Sequence, residues 1–421
     1  MNSVPTDSSL LSLPLPLPTG AATRRGWRAL PGCGEALSLA RLRTTHAGFW
    51  LIIVPSVARA DSLEAELRFF LGTQAGLAVF PDTEVLPYDT FSPHQDLTSR
   101  RLMVLRDVAA GRISTLIVAA STLLPRLAPA RYIGGYSISL AAGQKMRPEQ
   151  LRLQLETAGY QRVAQVMEHG DFAVRGSLLD FYPMGSPQPV RIDFLDDEIE
   201  SLREFDADSQ LSGAVIEALE TLPAREMPVD AEAIKQFRQA YRRRFEGNPA
   251  RSIIYREVSE GRMPGGIENY LPLFFEETAL LWNYLPAGRL TVSLGEPGAL
   301  LDSAWQQITE RHAQAGENSE RPALEPYEIN ATPGEHQAQI AHGPLLVLED
   351  GVESEAARLP SLQITTHSEH PAHQLVEFIR AFSGRILFAA ESPGRREMLP
   401  AFLRQEKLPA TEAASWADFL A

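Results

Sequence analysis

The sequence predicts an α/β protein: a parallel-sheet domain interrupted by an inserted α+β module with an antiparallel sheet, then a small further α/β unit. Three observations carry this. Short apolar runs alternate with helix-like segments over 26–130, a run of strict period-two alternation follows, and helices with apolar strands resume near residue 214. Alternation of strand and helix indicates a parallel sheet, whereas period two indicates a sheet with one wet face. One interrupted domain explains the resumption more simply than unrelated units. The expected boundaries are a flexible leader at 1–25, a first α/β part at 26–130, the insert at 131–213, a second α/β part at 214–343, and a small, incomplete α/β unit at 344–421.

In order along the chain, Leu10–Leu17 (LLSLPLPL) looks briefly like a signal-peptide core. Its prolines, the lack of positive charge before Arg24 and the missing cleavage pattern count against that. Phe49–Val54 (FWLIIV) reads as a buried parallel strand, and Asp61–Leu71 as a helix capped by Asp61. Leu77–Phe80 is a second strand, Ser99–Ala110 a helix and Thr115–Ala119 a third buried strand. Pro148 opens a helix within Met146–Gly159.

Glu168–Asp206 then reads as three consecutive strands. In Val190–Phe194, period two sends Val190, Ile192 and Phe194 to a core face, and Arg191 and Asp193 to a charged face open to water or a partner. Ala231–Phe245 is an arginine-rich helix and Leu290–Leu294 a strand. The last section is expected to hold a helix over Pro371–Phe382, a strand over Arg385–Ala390, a helix over Pro393–Gln405 and a final helix before Ala421.

Composition excludes several function classes. A net charge of −14 argues against a general nucleic-acid binder, while leaving room for a locally basic face. One cysteine, Cys33, excludes an intrachain disulfide and a cysteine-rich zinc site, and fits a cytoplasmic location. No run reaches the roughly 18–20 apolar residues of a membrane span.

Phosphate chemistry needs a glycine-rich loop carrying Lys followed by Ser or Thr. None of Lys145, Lys235 and Lys407 has that context. The degenerate candidate, Pro31–Leu37, keeps Gly32 and Gly34 but places Glu35, which would repel phosphate, where a lysine is wanted. No catalytic residue, cofactor or metal is therefore expected. His367, His370 and His373 are spaced by three around Pro371 and read as a loop leading into a helix; Asp196–Glu198 reads as an acidic turn. The aromatics Phe274, Phe275, Trp282 and Tyr284 read as packing, and Arg238–Arg244 as a solvated helix face.

Arg175 and Arg191 are the candidate binding residues. Each sits on a strand, where a rigid element presents a guanidinium in a fixed direction for a partner's carboxylate. The alternative is cross-strand pairing with Asp193 or Asp180. Composition and pattern leave both readings open.

The stretches RGSLLDFYP (175–183), VRIDF (190–194) and DEIE (197–200) resemble the UvrA-binding domain of UvrB and of the transcription-repair coupling factor (Mfd) family. LPYDTFSPHQDLTSRRL (86–102), YQRVAQVMEHGDFAVRG (160–176), FYPMGSPQPVRIDFLDDEIESLREFD (181–206), GIENYLPLFF (266–275) and ESPGRREML (391–399) resemble the coupling factors specifically. The resemblance covers about 30–421 and weakens over 300–365.

It implies a degenerate RecA-like, UvrB-type α/β domain (domains 1a and 1b), an inserted UvrA-binding domain 2 and the start of a domain 3. UvrB would need a working phosphate loop and a tyrosine-rich hairpin, and this chain has neither. The resemblance assigns Arg175, Arg191 and the position of Leu195 to the UvrA contact surface, with Asp193 and Phe194 beside them. Leu195 departs from the aromatic residue some relatives carry, which leaves its share of the binding energy open.

The implied function is a non-catalytic N-terminal module that recruits UvrA and helps restrain a motor. The motor would belong to a full-length ATP-dependent DNA translocase of helicase superfamily 2, with RNA polymerase, double-stranded DNA and its own C-terminal domain as further partners. The alternatives are an ATP-dependent UvrB-like enzyme and a purely intramolecular regulatory domain.

Overall fold

A computed structural model describes residues 16–18, 20, 23–28, 30, 32–72, 76–316, 318–349, 362, 372–390 and 392–421. The first sheet contains β1 (Arg24–Arg28), β2 (Trp50–Val54), β3 (Leu77–Val79) and β4 (Thr115–Ala119). The small strand β5 (Ile138–Ala141) follows. The second sheet contains β6 (Gln161–Arg162), β7 (Asp171–Arg175), β8 (Leu178–Phe181), β9 (Val190–Leu195), β10 (Glu198–Phe205) and β11 (Ser212–Ile216). Then come β12 (Ala218–Thr221), β13 (Leu290–Leu294) and β14 (Leu345–Glu349).

The first sheet is wholly parallel in the order β1-β14-β13-β2-β4-β3, so strands from both sides of residues 120–289 share one sheet. Its apolar runs are buried on both faces and divide by period two. Leu51, Ile53, Leu116 and Val118 enter one core; Trp50, Ile52, Val54, Ile117 and Ala119 enter the other.

The intervening segment begins and ends side by side, because β5 and β12 pair antiparallel. Between them lies the second sheet, ordered β11-β10-β9-β8-β7-β6. It is antiparallel except for the two-residue β6–β7 pair, which is parallel. The run expected to give three strands gives four, β7–β10. The turns Gly176–Ser177 and Asp196–Asp197 are only two residues long, and Gly176 (φ 64°) and Asp196 (φ 57°) adopt the left-handed backbone that such tight reversals need. Asp196–Glu198 is thus an acidic turn, and among the described residues no group of His, Cys, Asp or Glu is arranged to hold a metal.

Several boundaries differ from expectation for local reasons. The helix Val57–Leu71 starts before Asp61 because Ser56 accepts from the Arg59 amide, and Gln95–Ala109 starts before Ser99 because the His94 ring caps it. Within the expected leader, Leu17 packs on a core and Trp27 Nε1 donates to the Pro16 carbonyl at 3.1 Å. The expected strand Arg385–Ala390 is not formed; no strand hydrogen-bonds beside it among the described residues, and helices His373–Ala381, Pro393–Gln405 and Trp416–Leu420 account for the regular structure there. His367 and His370 lie outside the described residues.

β1 was not foreseen, and it changes the context of the degenerate loop. Gly32, Cys33 and Gly34 follow a strand and open the helix Gly34–Thr45, which is where a phosphate loop would sit. Glu35 occupies the first turn, and its carboxylate accepts from Arg59 Nη2 at 3.0 Å. The first turn of this helix therefore carries a carboxylate, held by Arg59, where a phosphate loop would carry a cation.

The aromatics of 274–284 pack inward: Phe274, Trp282 and Tyr284 are buried and Phe275 lies against them. Trp282 Nε1 donates to Nδ1 of the fully buried His336 at 2.8 Å. Burial lowers the His336 pKa to about 4, since a charged ring would lose its hydration.

The unfolded chain takes up this proton near pH 6.5 and the folded chain only near 4. Stability from this residue is complete above about pH 6.5 and is lost as the pH falls toward 4, by about 3 kcal/mol. His336→Gln should flatten the fall in melting temperature over that window relative to the parent. Parallel curves for the two proteins would show that His336 does not control it.

Candidate functional site

The inner face of the second sheet is a core face. Phe172, Leu179, Phe181, Val190, Ile192, Phe194, Ile199 and Leu202 are buried there, in a core continuous with that of the first sheet. The helix Gln95–Ala109 braces the junction. Its Ser99 Oγ accepts from the Gly185 amide at 2.8 Å, its Asp96 Oδ1 lies 2.6 Å from His169 Nδ1, and its buried Arg101 donates to Glu226 at 2.6 Å. Tyr160 Oη accepts from the Met184 amide and donates to the Leu222 carbonyl. The sheet is fixed from behind by packing and by buried hydrogen bonds.

The opposite face follows from register. Ala173, Asp180, Arg191 and Arg203 are cross-strand neighbours in one row; Arg175, Leu178, Asp193 and Ser201 form the next. Leu195 continues the line of Arg191 and Asp193, at the rim, and is 62% exposed. Val215 and Leu211 are exposed on and beside the edge strand β11.

Arg191 is paired across the strands with Asp180, its direct neighbour on β8. Nε and Nη2 of Arg191 donate to the two oxygens of Asp180 at 2.7 and 2.9 Å, a bidentate fork. Nη1 donates to Ser212 Oγ at 2.9 Å, and the guanidinium lies 5.0 Å above the Phe205 ring. The hydrogen bond to Asp180 raises the Arg191 pKa above its usual value. Asp180 is only 3% exposed, so Arg191 neutralises a carboxylate that has little access to water.

Arg175 is different. It is exposed, and its Nη2 makes a 2.8 Å hydrogen bond to the Ala164 carbonyl. Its remaining donors make no ion pair among the described residues. Asp193 is half-buried and accepts from Ser177 Oγ at 3.2 Å. Phe194 is 5% exposed and belongs to the core, as period two requires, so among the candidate binding residues it supports the face from beneath. Arg175, Arg191, Asp193 and Leu195 share the outer face, as alternation requires.

The face is covered at one end by the chain itself. The segment before β7 folds back over one end. Val166 packs on Ala173 and Phe205 in a small cluster, Gln210 Nε2 donates to the Val166 carbonyl, and Met167 remains 44% exposed. The sequence shows no sign of three supports of Arg191 except at Phe205: the Phe205 ring, Ser212 and the Gln210 carbonyl, which accepts from Arg191 Nη1 at 3.5 Å. Phe205 alone had a legible signal, since period two along β10 puts it on the face of Arg203.

These contacts separate a structural arginine from an available one. Arg191→Ala would leave Asp180 buried and unpaired, at a cost of about 3–5 kcal/mol. Adding Asp180→Ala should restore much of that loss. Urea unfolding of the two variants checks this, and an Arg191→Ala protein as stable as the parent would contradict it.

Residues 138–227, which contain this sheet, match the family described as UvrB interaction domain, and residues 378–421 match the MFD, D3 domain. A transcription-repair-coupling factor of Escherichia coli is 37% identical over 401 residues, covering 93% of this chain and 35% of the relative. One from Haemophilus influenzae is 36% identical, over 90% of the chain and 34% of the relative, and one from Myxococcus xanthus 31%, over 70% and 26%. The chain spans about a third of the length of the first two relatives. With the resemblances at 86–102, 181–206 and 266–275 lying inside these matches, the chain belongs to the bacterial transcription-repair-coupling factor family and corresponds to its N-terminal, UvrB-homology region.

Proposed function

We propose that this chain is a non-catalytic recruitment module whose second sheet docks UvrA. The observation that carries the reading is an exposed apolar side chain, Leu195, on the same outward face as the incompletely engaged guanidinium of Arg175. Burial of a small apolar anchor beside a charge-assisted hydrogen bond is how compact interfaces concentrate their energy. The sheet is held from behind, so docking there orders few groups and loses little entropy. The UvrB interaction domain matched over 138–227 supports UvrA as the partner class.

In this reading Arg175 supplies donors to a carboxylate of UvrA and Leu195 fills an apolar recess. Arg191 acts mainly by holding Asp180 and keeping the central strands aligned. In the intact coupling factor, recruitment would bring excision repair to stalled RNA polymerase. Translocation on double-stranded DNA would be powered by an ATP-dependent motor elsewhere in the protein, and this module would contribute to the motor's restraint through contact with the C-terminal domain. An ATP-hydrolysing role for the chain itself is disfavoured by Glu35, whose carboxylate in the first turn of this helix would repel phosphate, and by the lack of a Lys followed by Ser or Thr there.

Calorimetric titration with UvrA tests the docking surface. Arg175→Glu and Leu195→Asp, both at exposed positions, should leave the melting temperature unchanged and weaken UvrA binding by about 30-fold or more each, the effect of losing a contact worth about 2 kcal/mol. Undiminished affinity in both variants would refute the surface. Arg191→Ala is a poor probe here, because its effect on folding would mask its effect on binding.

A further inference from the structure

We propose that the helix Ala231–Arg244, with the short helix packed against it, forms a second interaction surface, one that takes the phosphate backbone of duplex nucleic acid. Residues 231–251 carry six basic side chains against two acidic ones, in a chain whose net charge is −14. Favourable contact with the helix C-terminus accounts for part of the cluster, but it does not call for the mid-helix Arg238.

The structure sorts these arginines. Arg244 is committed to the fold, since Nε and Nη2 donate to both oxygens of Glu328 at 2.6–2.9 Å. Arg238 and Arg242 lie one helical turn apart, and both guanidiniums pack over the ring of Tyr255, 6.0 and 5.5 Å from its centre. Arg243 is exposed beside them, as are Arg251 and Arg256 from the adjoining segment. Among the described residues, none of Arg238, Arg242, Arg243, Arg251 and Arg256 forms an ion pair. Of the nearby acids, Glu232 is engaged with Lys235, and Glu257 and Glu260 with Arg262; Glu246 is left against the five arginines.

Stacking on Tyr255, with a 3.4 Å hydrogen bond from Arg238 Nε to its hydroxyl, limits the motion of two guanidiniums while leaving the Nη groups of Arg238 and the edge of Arg242 for planar capture of an oxyanion. Cations repeated along one helix track a linear polyanion better than a single carboxylate. Tyr255 itself is only 8% exposed and is covered by the arginines, so it offers no platform for base stacking. That favours the backbone of a duplex over an unpaired strand, with no sequence preference.

The test is fluorescence anisotropy with a labelled duplex oligonucleotide and the full 421-residue chain, from 50 to 200 mM salt. The proposal expects weak binding, with a slope of log affinity against log salt of about −3 if three phosphates are contacted. Arg238→Gln, Arg242→Gln and Arg243→Gln together should abolish it with an unchanged melting temperature. The three corresponding lysine variants should retain most of it, and Arg175→Glu should leave it intact. Absence of duplex binding at 50 mM salt, or binding unaffected by the triple glutamine variant, would overturn the proposal. So would displacement of the duplex by polyglutamate at equal charge concentration, which would mark a surface for acidic protein.

Discussion

A carboxylate at the centre of the second sheet governs how its outer face is built. Asp180 lies almost out of reach of water, and an unpaired charge there would cost several kilocalories per mole. The bidentate fork from Arg191 removes that cost and also sets the position of the arginine. Ser212 and the Phe205 ring then hold the guanidinium from the other side, linking β8 and β9 to β10 and β11. Four of the six strands therefore share one charged network on the face opposite the core. A pair so enclosed adds specificity of register more than raw stability, because a one-residue slip of β9 would carry Arg191 into the apolar core and expose Ile192.

The face is rigid for a second reason, which lies behind it. Its core merges with that of the parallel sheet through the helix Gln95–Ala109, and the segment linking the two sheets adds buried hydrogen bonds at Tyr160, Ser99 and Arg101. The exposed loop of residues 86–93 is tied to the same region. Gly266 (φ 76°) packs so closely on it that a side chain there would stand 2.6 Å from the Asp89 carbonyl, and Asn269 bonds both to the Tyr88 amide and to the Asp89 carbonyl. The family-like stretches 86–102 and 266–275 thus clamp one another, which explains in physical terms why they occur together in the sequence. The face mounted on such a base would meet the proposed partner with little rearrangement of its side chains.

Much of this was legible from pattern alone. Short, β-branched runs such as Trp50–Val54 and Thr115–Ala119 read as strands covered on both sides, and period two separates Arg191 and Asp193 from Val190, Ile192 and Phe194. What pattern could not supply was pairing between strands. Whether Arg191 serves a partner or pairs within the sheet stays open in the sequence, and register decides it by placing Asp180 directly opposite. β1 was missed because Arg24–Arg28 is a short, largely polar strand at a sheet edge, with partners more than 300 residues away. The cover formed by Val166 was equally hidden, since it depends on tertiary packing onto Ala173 and Phe205. Arg385–Ala390 shows the converse: strand-like composition without a neighbour to bond does not make a strand.

Docking of UvrA on the outer face of the second sheet, as proposed, is read out most directly by oxidative footprinting of its side chains. Met167, Leu195, Leu211 and Val215 are exposed on or around this face, while Phe91 and Met398 are exposed elsewhere. With UvrA at saturation, labelling of Leu195 and Met167 should fall sharply, and labelling of Phe91 and Met398 should stay as in the free chain. Unchanged labelling of Leu195 and Met167 in a demonstrably saturated complex would place UvrA on another surface and contradict the account.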